Sequence, residues 1–535
     1  MKRKRGFVFG GTIILGVVVL LLAALATASE RPKASTSFYG GNFRYPTYEP
    51  ASLDPVDVGE DYWPLLDQIF EGLVKYDENQ DVLPAIAESW TSTDAITWTF
   101  TIRTGARFHN GRQIKAQDVY LSWLRAKDES EWWWCMEMAG VKSFKPLDDY
   151  TFQVVLDGPY APFPYILGLP PVSIVPLEEL GSIDTSPVGS GPFVFQSWTP
   201  GSEIVLEAND DYYGGRPYLD NITFSFYGSD EEMYTEFQAD NLDISPVPLS
   251  YQDGLVGDPN LIVVPVGTRN FGMKVDWAPF DDVRVRRALN YAVDKQDIVD
   301  NVVEGYQLVA DGFTPPGMQG YDPAVEGYNY NPTEAISLLS QAGWTDTNDD
   351  DILDDGAGTD LTIEMWHSTR FSEEAAIAAA VADDLRNIGG TDLGATVTIS
   401  YMDWPTYLDK LDTYPMYLLR WLADYPEPLD FLEPGFHTGS VLANWTHYSN
   451  SSVDTGLDQA KETLDGANRR TLYTLIETVI QDDAPHINLF YTCRVYIQQP
   501  TAQGLAMSMV GTTSMEKVWL DLPYKVYLPL TLKNY

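Results

Sequence analysis

The fold class follows from residues 361–401, which read LTIEMWHSTRFSEEAAIAAAVADDLRNIGGTDLGATVTISY. Apolar and polar side chains alternate at both ends of this stretch, over 361–365 and 397–401, and a period of two is typical of β-strands. The segment between them, Ser372–Gly389, is predicted to be a helix. A strand, a helix and a strand in this order form a βαβ unit with parallel strands and a right-handed crossover. The sequence therefore predicts an α/β protein.

Outside this unit, the first half of the chain is predicted to be rich in strands. Alternating apolar residues occur over 98–102, 152–156 and 222–226. The second half changes to a helical period, with apolar residues spaced i, i+3, i+4 and i+7 over 285–293. Asp281 and Asp282 precede this run and can cap the free amides of the helix.

A further helix has signals at both ends. Asn331 is its expected N-cap, Pro332 occupies the first helical position and Gly343 lies just beyond the C-terminus. No internal repeat and no Pro/Ser-rich linker divides the chain. Any lobes are therefore expected to be joined by short crossovers rather than by a tether.

Length and composition exclude several classes of protein. The chain has 535 residues, 44% hydrophobic and 13% aromatic, which is enough for two or three packed domains and too apolar for a disordered protein. Its 77 acidic and 34 basic residues give a formal net charge of −43, which repels nucleic acid and anionic membrane surfaces. Two cysteines, Cys135 and Cys493, allow at most one disulfide and no thiolate metal site.

The N-terminus has the features of an export signal. Four basic residues, Lys2–Arg5, precede an apolar run over Phe7–Ala26, and Ala26-Thr27-Ala28 matches a signal-peptidase site. Residues 1–28 are therefore predicted to be a signal peptide, which places the protein at the cell surface, in the periplasm or in the medium. The apolar run is long for a signal, so an uncleaved N-terminal anchor is the alternative.

The chain has few signatures of catalysis or metal binding. Motifs for serine hydrolases, zinc proteases, nucleotide binding and Rossmann folds are absent from the sequence, and its five histidines have no metal-ligand spacing. Oxygen ligands alternate at Asp346, Asn348, Asp350 and Asp354, which favours a structural calcium site. The alternative is a solvated acidic loop, because Asp351 stands where an EF-hand loop needs glycine. No cofactor is expected to be required.

Two stretches carry a resemblance to a known family. Residues 187–201 read PVGSGPFVFQSWTPG, and residues 209–218 read NDDYYGGRPY. Further motifs keep the family's order along the chain: Leu53–Pro55, Phe70–Leu73, Ala87–Trp90, Trp98–Gly111, Val283–Ala292 and Trp421–Pro428. Together, from about Ser52 to Pro500, they resemble family 5 of the extracellular solute-binding proteins of ABC importers, the oligopeptide- and dipeptide-binding type.

The resemblance implies a periplasmic-binding-protein-like clamp of type II, enlarged by an inserted domain, in which lobes close on a ligand about a hinge. The implied boundaries are 29–72, 184–269 and 485–526 for a discontinuous lobe I, 73–183 for the inserted lobe II, 270–484 for lobe III and 527–535 for a C-terminal tail.

The resemblance also implies a function. The protein is expected to be a monomer without enzymatic activity that captures short peptides between its lobes and delivers them to a membrane permease. An oligosaccharide of the cello or xylo type is the main alternative ligand, because fifteen tryptophans offer stacking platforms for sugars. A nickel chelate and an exported hydrolase are further alternatives.

The resemblance places the ligand site in the segment that contains Trp421 and Asp424. Asp424 is similar to the family's acidic residue that pairs with the peptide α-ammonium, although an aspartate can also cap the turn before Pro426. Trp421 and Trp404 look like the tryptophans that line side-chain pockets, and core packing is the alternative for Trp404. Arg370 resembles the position that holds a dipeptide's carboxylate, and a surface arginine is the alternative.

Neighbouring residues complete the predicted site. The main chain of Arg420, Leu422 and Ala423 is expected to pair with an extended peptide as an added strand, and Tyr425 is included among the ligand contacts. Trp132, Trp133 and Trp134 lie in the predicted lobe II, where at least one of them is expected to contact the cleft or a partner, since three adjacent side chains cannot share one face.

Overall fold

The computed structural model describes residues 39–521, except positions 256, 304, 389 and 391. The predicted signal peptide and the predicted tail therefore lie outside the described residues. The described part is a mixed α/β structure built around one large sheet and two four-stranded sheets. None of its helices is both long and apolar enough to span a bilayer.

The large sheet carries the features that position the site. Its strand order is β11-β17-β12-β16-β14-β15, with β13 paired to β17. Four neighbouring pairs are antiparallel, whereas β14 is parallel to both β15 and β16. The strands are β11 (Ile244–Pro246), β12 (Leu261–Met273), β13 (Leu308–Val309), β14 (Thr362–Ser368), β15 (Thr396–Met402), β16 (Met416–Leu422) and β17 (His486–Gln498).

The predicted βαβ unit is confirmed. Strands β14 and β15 are parallel and in register from Thr362 with Thr396 to Ser368 with Met402. The helix between them, Glu374–Arg386, buries Ile377, Val381 and Leu385 against the sheet. It is shorter than predicted, because Asn387 leaves the helical conformation with φ −128° and ψ 56°.

Two smaller sheets come from the first half of the chain, as its alternation predicts. One has the order β1-β10-β9-β8, in which β1 and β10 are parallel, and the other has the antiparallel order β4-β5-β7-β6. Their strands are β1 (Asn42–Thr47), β4 (Ala87–Thr91), β5 (Thr97–Ile102), β6 (Val141–Pro146), β7 (Thr151–Leu156), β8 (Phe193–Thr199), β9 (Glu203–Ala208) and β10 (Asn221–Phe226). Three two-stranded ribbons are formed by β2 (Val74–Tyr76) with β3 (Val82–Pro84), β18 (Ala502–Gln503) with β21 (Trp519–Leu520), and β19 (Ala506–Met507) with β20 (Thr513–Ser514).

Helix boundaries follow the predicted capping signals. The side chain of Asp282 accepts a hydrogen bond from the Arg284 amide, and that of Asn331 accepts one from the Glu334 amide. Gly343 ends the second of these helices with a φ of 99°, a left-handed conformation that glycine adopts without strain.

The α-helices are α1 (Trp63–Ile69), α2 (Ala116–Glu129), α3 (Trp134–Met138), α4 (Phe163–Ile166), α5 (Asp230–Gln238), α6 (Leu249–Gln252), α7 (Val283–Ala292), α8 (Lys295–Asp297), α9 (Pro332–Ala342), α10 (Glu374–Arg386), α11 (Trp404–Lys410), α12 (Leu429–Phe436), α13 (Ser451–Glu462) and α14 (Gly466–Asp483).

Two long strands connect the hydrophobic cores. On β12, Val266 packs into the core that includes the two four-stranded sheets, whereas Phe271 packs into the core around α10. On β17, Ile487 belongs to the α10 core and Val495 to a third core beside α5. The predicted division between lobes I and III at residue 269 falls inside β12, and the domain boundaries stay a prediction.

Candidate functional site

Strand β16 has one main-chain edge that is open over part of its length. On one side it pairs with β12 along its whole length, from Met416 to Leu422. On the other side its ladder with β14 consists of two residue pairs, at Met416 and Tyr417. Beyond Tyr417 the two strands separate, since the Leu418 carbonyl accepts a hydrogen bond from the Tyr407 hydroxyl at 2.9 Å instead. We refer to the main chain of residues 419–422 on the β14 side as the open edge.

The register of β16 decides which groups face this open edge. The Ala423 amide donates to the Val266 carbonyl at 2.9 Å, on the β12 side. Along an antiparallel strand, the N–H and C=O groups of successive residues point alternately to the two sides. The main-chain groups of Trp421, two residues before Ala423, therefore also face β12. The N–H and C=O groups of Arg420 and Leu422 therefore face the open edge, where an extended ligand can add as a strand.

A cavity of about 230 Å³ lies along the open edge. We name it the Asp424 pocket, and its lining residues are Arg269, Arg370, Phe371, Glu374, Trp404, Arg420, Trp421, Leu422 and Asp424. Six of the eight residues that the sequence predicts as ligand contacts around Asp424 are brought together here. Arg269, Phe371 and Glu374 were not predicted, because they share no motif with the Trp421–Pro428 segment. They reach the pocket from β12, from the loop before α10 and from the first turn of α10.

Asp424 lies at one end of the pocket, two residues after β16 ends. Its amide donates to Asp430 Oδ2 at 2.8 Å, which fixes the start of the turn. The pKa of the half-buried Asp424 carboxyl is raised to about 7, chiefly by burial, with a lowering contribution from Asp430 and a smaller raising contribution from the Glu60 charge. No basic side chain forms an ion pair with Asp424 within the described residues. The pocket therefore holds a carboxylate without a cation.

The other end of the pocket is basic. We name Arg269, Arg370 and Arg420 the arginine cluster, because their guanidinium carbons lie 5.4, 5.2 and 4.1 Å from the centre of the Phe371 ring. Arg370 also lies over the Trp404 ring at 4.7 Å. These contacts are cation–π interactions, which orient the guanidinium groups without neutralising them.

Arg269 is the only member of the cluster with acidic partners in the part of the chain that the structure describes. It is 2% exposed and pairs with Glu373 at 2.7 Å and Glu374 at 3.1 Å. Arg420 lies opposite Arg269 in the β12–β16 register. Burial first, and the Arg269 charge second, lower the pKa of the Arg420 guanidinium to about 10. An anion bound beside Arg420 would relieve this unfavourable environment.

Two predicted contacts around Asp424 are corrected by the structure. Tyr425 is 1% exposed and its hydroxyl bonds to the Tyr160 hydroxyl, so its side chain belongs to the core. Ala423 is also buried, and its amide is used within the sheet. Both face inward because the chain turns away from the open edge after Leu422, a change of direction that the sequence pattern does not show.

The three adjacent tryptophans do not line the Asp424 pocket. Trp132 packs edge-on against Trp63 at 5.0 Å, and Trp133 is 5% exposed and packs against Phe144. Trp133 therefore fills the core between α2 and the β4–β7 sheet, and the expectation that at least one of the three contacts the cleft or a partner stays a prediction. Trp134 is partly exposed, and its contact with a partner stays a prediction. Cys135 and Cys493 are free, and burial raises the pKa of both thiols.

A second cavity of about 540 Å³ lies between β1, β17 and the start of α1. Its acidic lining residues include Glu60, Asp61 and Asp230, and Arg494 pairs with Glu60 at 3.3 Å. The charge of Glu60 raises the pKa of both Asp424 and Arg420, so this cavity adds negative charge near the Asp424 pocket.

The predicted calcium loop is exposed over residues 347–351, whereas Asp354 is buried. The carboxylate of Asp354 accepts hydrogen bonds from Thr347 and from the Gly356 amide, and Asp346 accepts from the amides of residues 350 and 351. Among the described residues, the group of carboxylates close enough to share a metal ion is elsewhere, at Asp54, Asp57 and Asp184. Calcium binding by Asp346, Asn348, Asp350 and Asp354 stays a prediction.

Comparison with known proteins connects this geometry to a family. The model of the bacterial extracellular solute-binding proteins, family 5, matches residues 81–442. The oligopeptide-binding protein AppA of Bacillus subtilis is 27% identical, with 92% of this chain and 94% of the relative covered. The heme-binding protein A of Haemophilus influenzae is 26% identical, with 95% and 99% covered.

Solved structures share the fold. The unliganded open form of the periplasmic murein tripeptide-binding protein MppA aligns with a TM-score of 0.79 at 23% identity, covering 90% of this chain and 97% of that chain. AppA in complex with a nonapeptide aligns with a TM-score of 0.62 at 25% identity, covering 90% and 99%. The predicted type II binding-protein fold is confirmed. With its family model matched over more than half of its length, the chain belongs to family 5 of the bacterial extracellular solute-binding proteins.

Proposed function

We propose that this protein captures short peptides outside the cytoplasm and delivers them to the permease of an ABC importer, without chemical turnover of the ligand. The observation that carries the proposal is the placement of opposite charges along the open edge. Asp424 offers an unpaired carboxylate at one end, and Arg370 and Arg420 offer guanidinium groups without acidic partners in the described residues at the other. A peptide in its zwitterionic form has the matching ammonium and carboxylate.

The main chain between these charges supports a peptide over other solutes. Arg420 and Leu422 present N–H and C=O groups at the open edge, and an extended peptide can satisfy them as an added strand. Such contacts do not read side chains, so the protein is expected to accept many sequences. A sugar has no ammonium to satisfy Asp424, and its hydroxyls do not neutralise the arginine cluster.

The spacing of the charges sets the ligand length. Asp424 lies four positions after Arg420, which corresponds to at most about 13 Å of extended chain. An extended peptide spans about 3.3 to 3.6 Å per residue. Since both side chains reach towards the ligand, peptides of about two to four residues are proposed to fit best.

Relatives support the peptide class but do not determine it. AppA is named for oligopeptides and was solved with a nonapeptide, whereas the relative from Haemophilus influenzae is named for heme. Family membership alone therefore does not identify the ligand. The unpaired Asp424 favours a ligand with a cationic end, which a peptide has.

Peptides with blocked termini test the proposal. We expect trialanine to bind in isothermal titration calorimetry, and we expect N-acetylation and C-amidation each to weaken binding about tenfold or more, because each removes one charge-assisted hydrogen-bond partner. Cello- and xylo-oligosaccharides and nickel–histidine complexes serve as comparison ligands. Equal affinity for free and doubly blocked trialanine, or binding of a sugar alone, would contradict the proposal.

Replacing Arg420 with glutamine is expected to weaken the binding of free trialanine about tenfold and to leave the binding of its C-terminal amide unchanged. The reason is that the guanidinium group is proposed to contact the ligand carboxylate, which the amide lacks. Titration calorimetry on both peptides measures the difference.

Arg370→Gln is the matched comparison within the cluster, and Arg107→Gln, at an exposed residue that does not line the Asp424 pocket, is the control. If Arg420→Gln weakens binding of both peptides equally, Arg420 supports the pocket structure and does not contact the carboxylate.

A further inference from the structure

Asp430 is a completely buried carboxyl group directly behind Asp424. It lies in the first turn of α12 and is 0% exposed. Its Oδ2 accepts the Asp424 amide at 2.8 Å, and its Oδ1 has no hydrogen-bond partner among the described residues. The two carboxyl groups are close enough to shift each other's pKa, downward for Asp424 and upward for Asp430.

The arginine cluster lines the same pocket, but within the described residues no basic side chain forms an ion pair with either carboxyl group. Facing Asp424 and Asp430 are Glu60 before α1, Cys135 on α3, Tyr160 before α4, and Tyr425 and Glu427 in the turn before α12. Glu427 is itself neutralised by Arg469 at 2.8 Å. Nothing on these elements can compensate two buried carboxylates.

Two adjacent carboxylates in such a place cannot both be ionised, so they share a proton. The fully enclosed member keeps the proton, because the charged form of the more exposed member loses less solvation. Burial, and then the neighbouring Asp424 charge, hold the pKa of Asp430 well above its ordinary value, which is consistent with this assignment.

We propose that Asp430 acts as a positioning residue for the ligand ammonium. In this role the Asp430 carboxyl remains protonated and donates a hydrogen bond to the Asp424 carboxylate, which holds Asp424 as one oriented negative charge. This inference rests on the proposed function, in which Asp424 takes the ammonium. With Asp430 neutral, the site carries a single charge and matches a single ammonium. An ionised pair would carry two charges and would repel itself in the absence of ligand.

Substitution by asparagine and by leucine separates the roles of charge and shape. Asparagine has the size of a protonated aspartate, and it can accept from the Asp424 amide through Oδ1 while donating to the carboxylate through Nδ2. We expect Asp430→Asn to bind trialanine within about threefold of the unmodified protein, since both hydrogen bonds persist. Asp430→Leu is expected to bind at least about tenfold more weakly, because the Asp424 amide and carboxylate both lose a partner.

An infrared measurement tests the proton without any ligand. At about pH 7 the unmodified protein is expected to show C=O stretch intensity from protonated Asp430 in addition to that of other buried carboxyls such as Asp67, and the Asp430 contribution is expected to be absent from Asp430→Asn. This test compares only the unmodified protein with Asp430→Asn, so it remains valid even if Asp430→Leu does not fold.

The outcomes separate the two proposals. If the unmodified protein binds no peptide but the Asp430 contribution to the infrared band disappears in Asp430→Asn, the proposed function fails and the proton assignment stands. If Asp430→Asn loses as much affinity as Asp424→Asn, or if the unmodified protein and Asp430→Asn show equal intensity in this band, Asp430 is ionised and the positioning role is wrong. If Asp430→Leu folds and binds as tightly as the unmodified protein, Asp430 has no role in the site.

Discussion

Replacing Asp424 with asparagine is expected to weaken the binding of trialanine by about 10- to 100-fold. The substitution keeps the shape of the side chain and removes its charge. A hydrogen bond to a charged group contributes about 1.5 to 3 kcal/mol, and about 1.4 kcal/mol of binding free energy corresponds to a tenfold change in affinity. No other carboxylate lines the Asp424 pocket except Glu374, which is already paired with Arg269. Titration calorimetry at about pH 7.5 measures the loss.

Two controls accompany this variant. Asp211→Asn removes an exposed carboxylate outside the cleft and is expected to leave the affinity unchanged. Because the pKa of Asp424 is about 7, the unmodified protein should bind less tightly as the pH falls below 7, and this acid-side loss should be absent from Asp424→Asn. An unchanged affinity of Asp424→Asn for trialanine would show that the ammonium binds elsewhere.

Replacing Arg469 with methionine is expected to lower the free energy of unfolding by about 3 to 5 kcal/mol, the usual cost of leaving a buried charge unpaired. Glu427 is 1% exposed, and its Oε1 accepts from Arg469 at 2.8 Å and from the Tyr473 hydroxyl at 2.6 Å. Its Oε2 accepts the Leu429 amide at 2.9 Å. These bonds join α14 to the turn that carries Asp424, and urea denaturation measures their loss.

The adjacent residue provides a matched control. Arg470 is exposed and its guanidinium bonds to the Gln319 side chain at 2.6 Å, so Arg470→Met is expected to change stability by less than about 0.5 kcal/mol. Combining Arg469→Met with Glu427→Gln should recover part of the loss, since the unpaired charge is then removed. Equal urea midpoints for the two single variants would mean that Glu427 is not ionised in the folded protein.

Features set by local chemistry were predictable from the sequence. The helix that begins after Asn331 and ends at Gly343 was predicted because an N-cap side chain and a left-handed glycine act within a few residues of the helix they bound. The βαβ unit was predicted because the spacing of apolar residues reports which face of an element is buried. The position of Asp424 came from a motif in one continuous segment, read by resemblance.

Features that depend on distant segments were not predictable. Arg269 reaches Arg420 only because β12 and β16 pair in one particular register, and Phe371 joins them from a loop about fifty residues before β16. Tyr425 was included among the ligand contacts, but its side chain points into a core, since the direction of a side chain after a turn depends on what packs against it.

The sequence by itself determined the fold class, the family and the segment that carries Asp424, because hydrophobic periodicity, capping residues and short motifs are local properties of the chain. Only the tertiary structure decided that Asp430 lies behind Asp424, that two arginines lack acidic partners in the described residues and that one edge of β16 is open. The physical reason is that solvation and pairing of a charge depend on every group packed around it, and those groups come from segments far apart in the sequence.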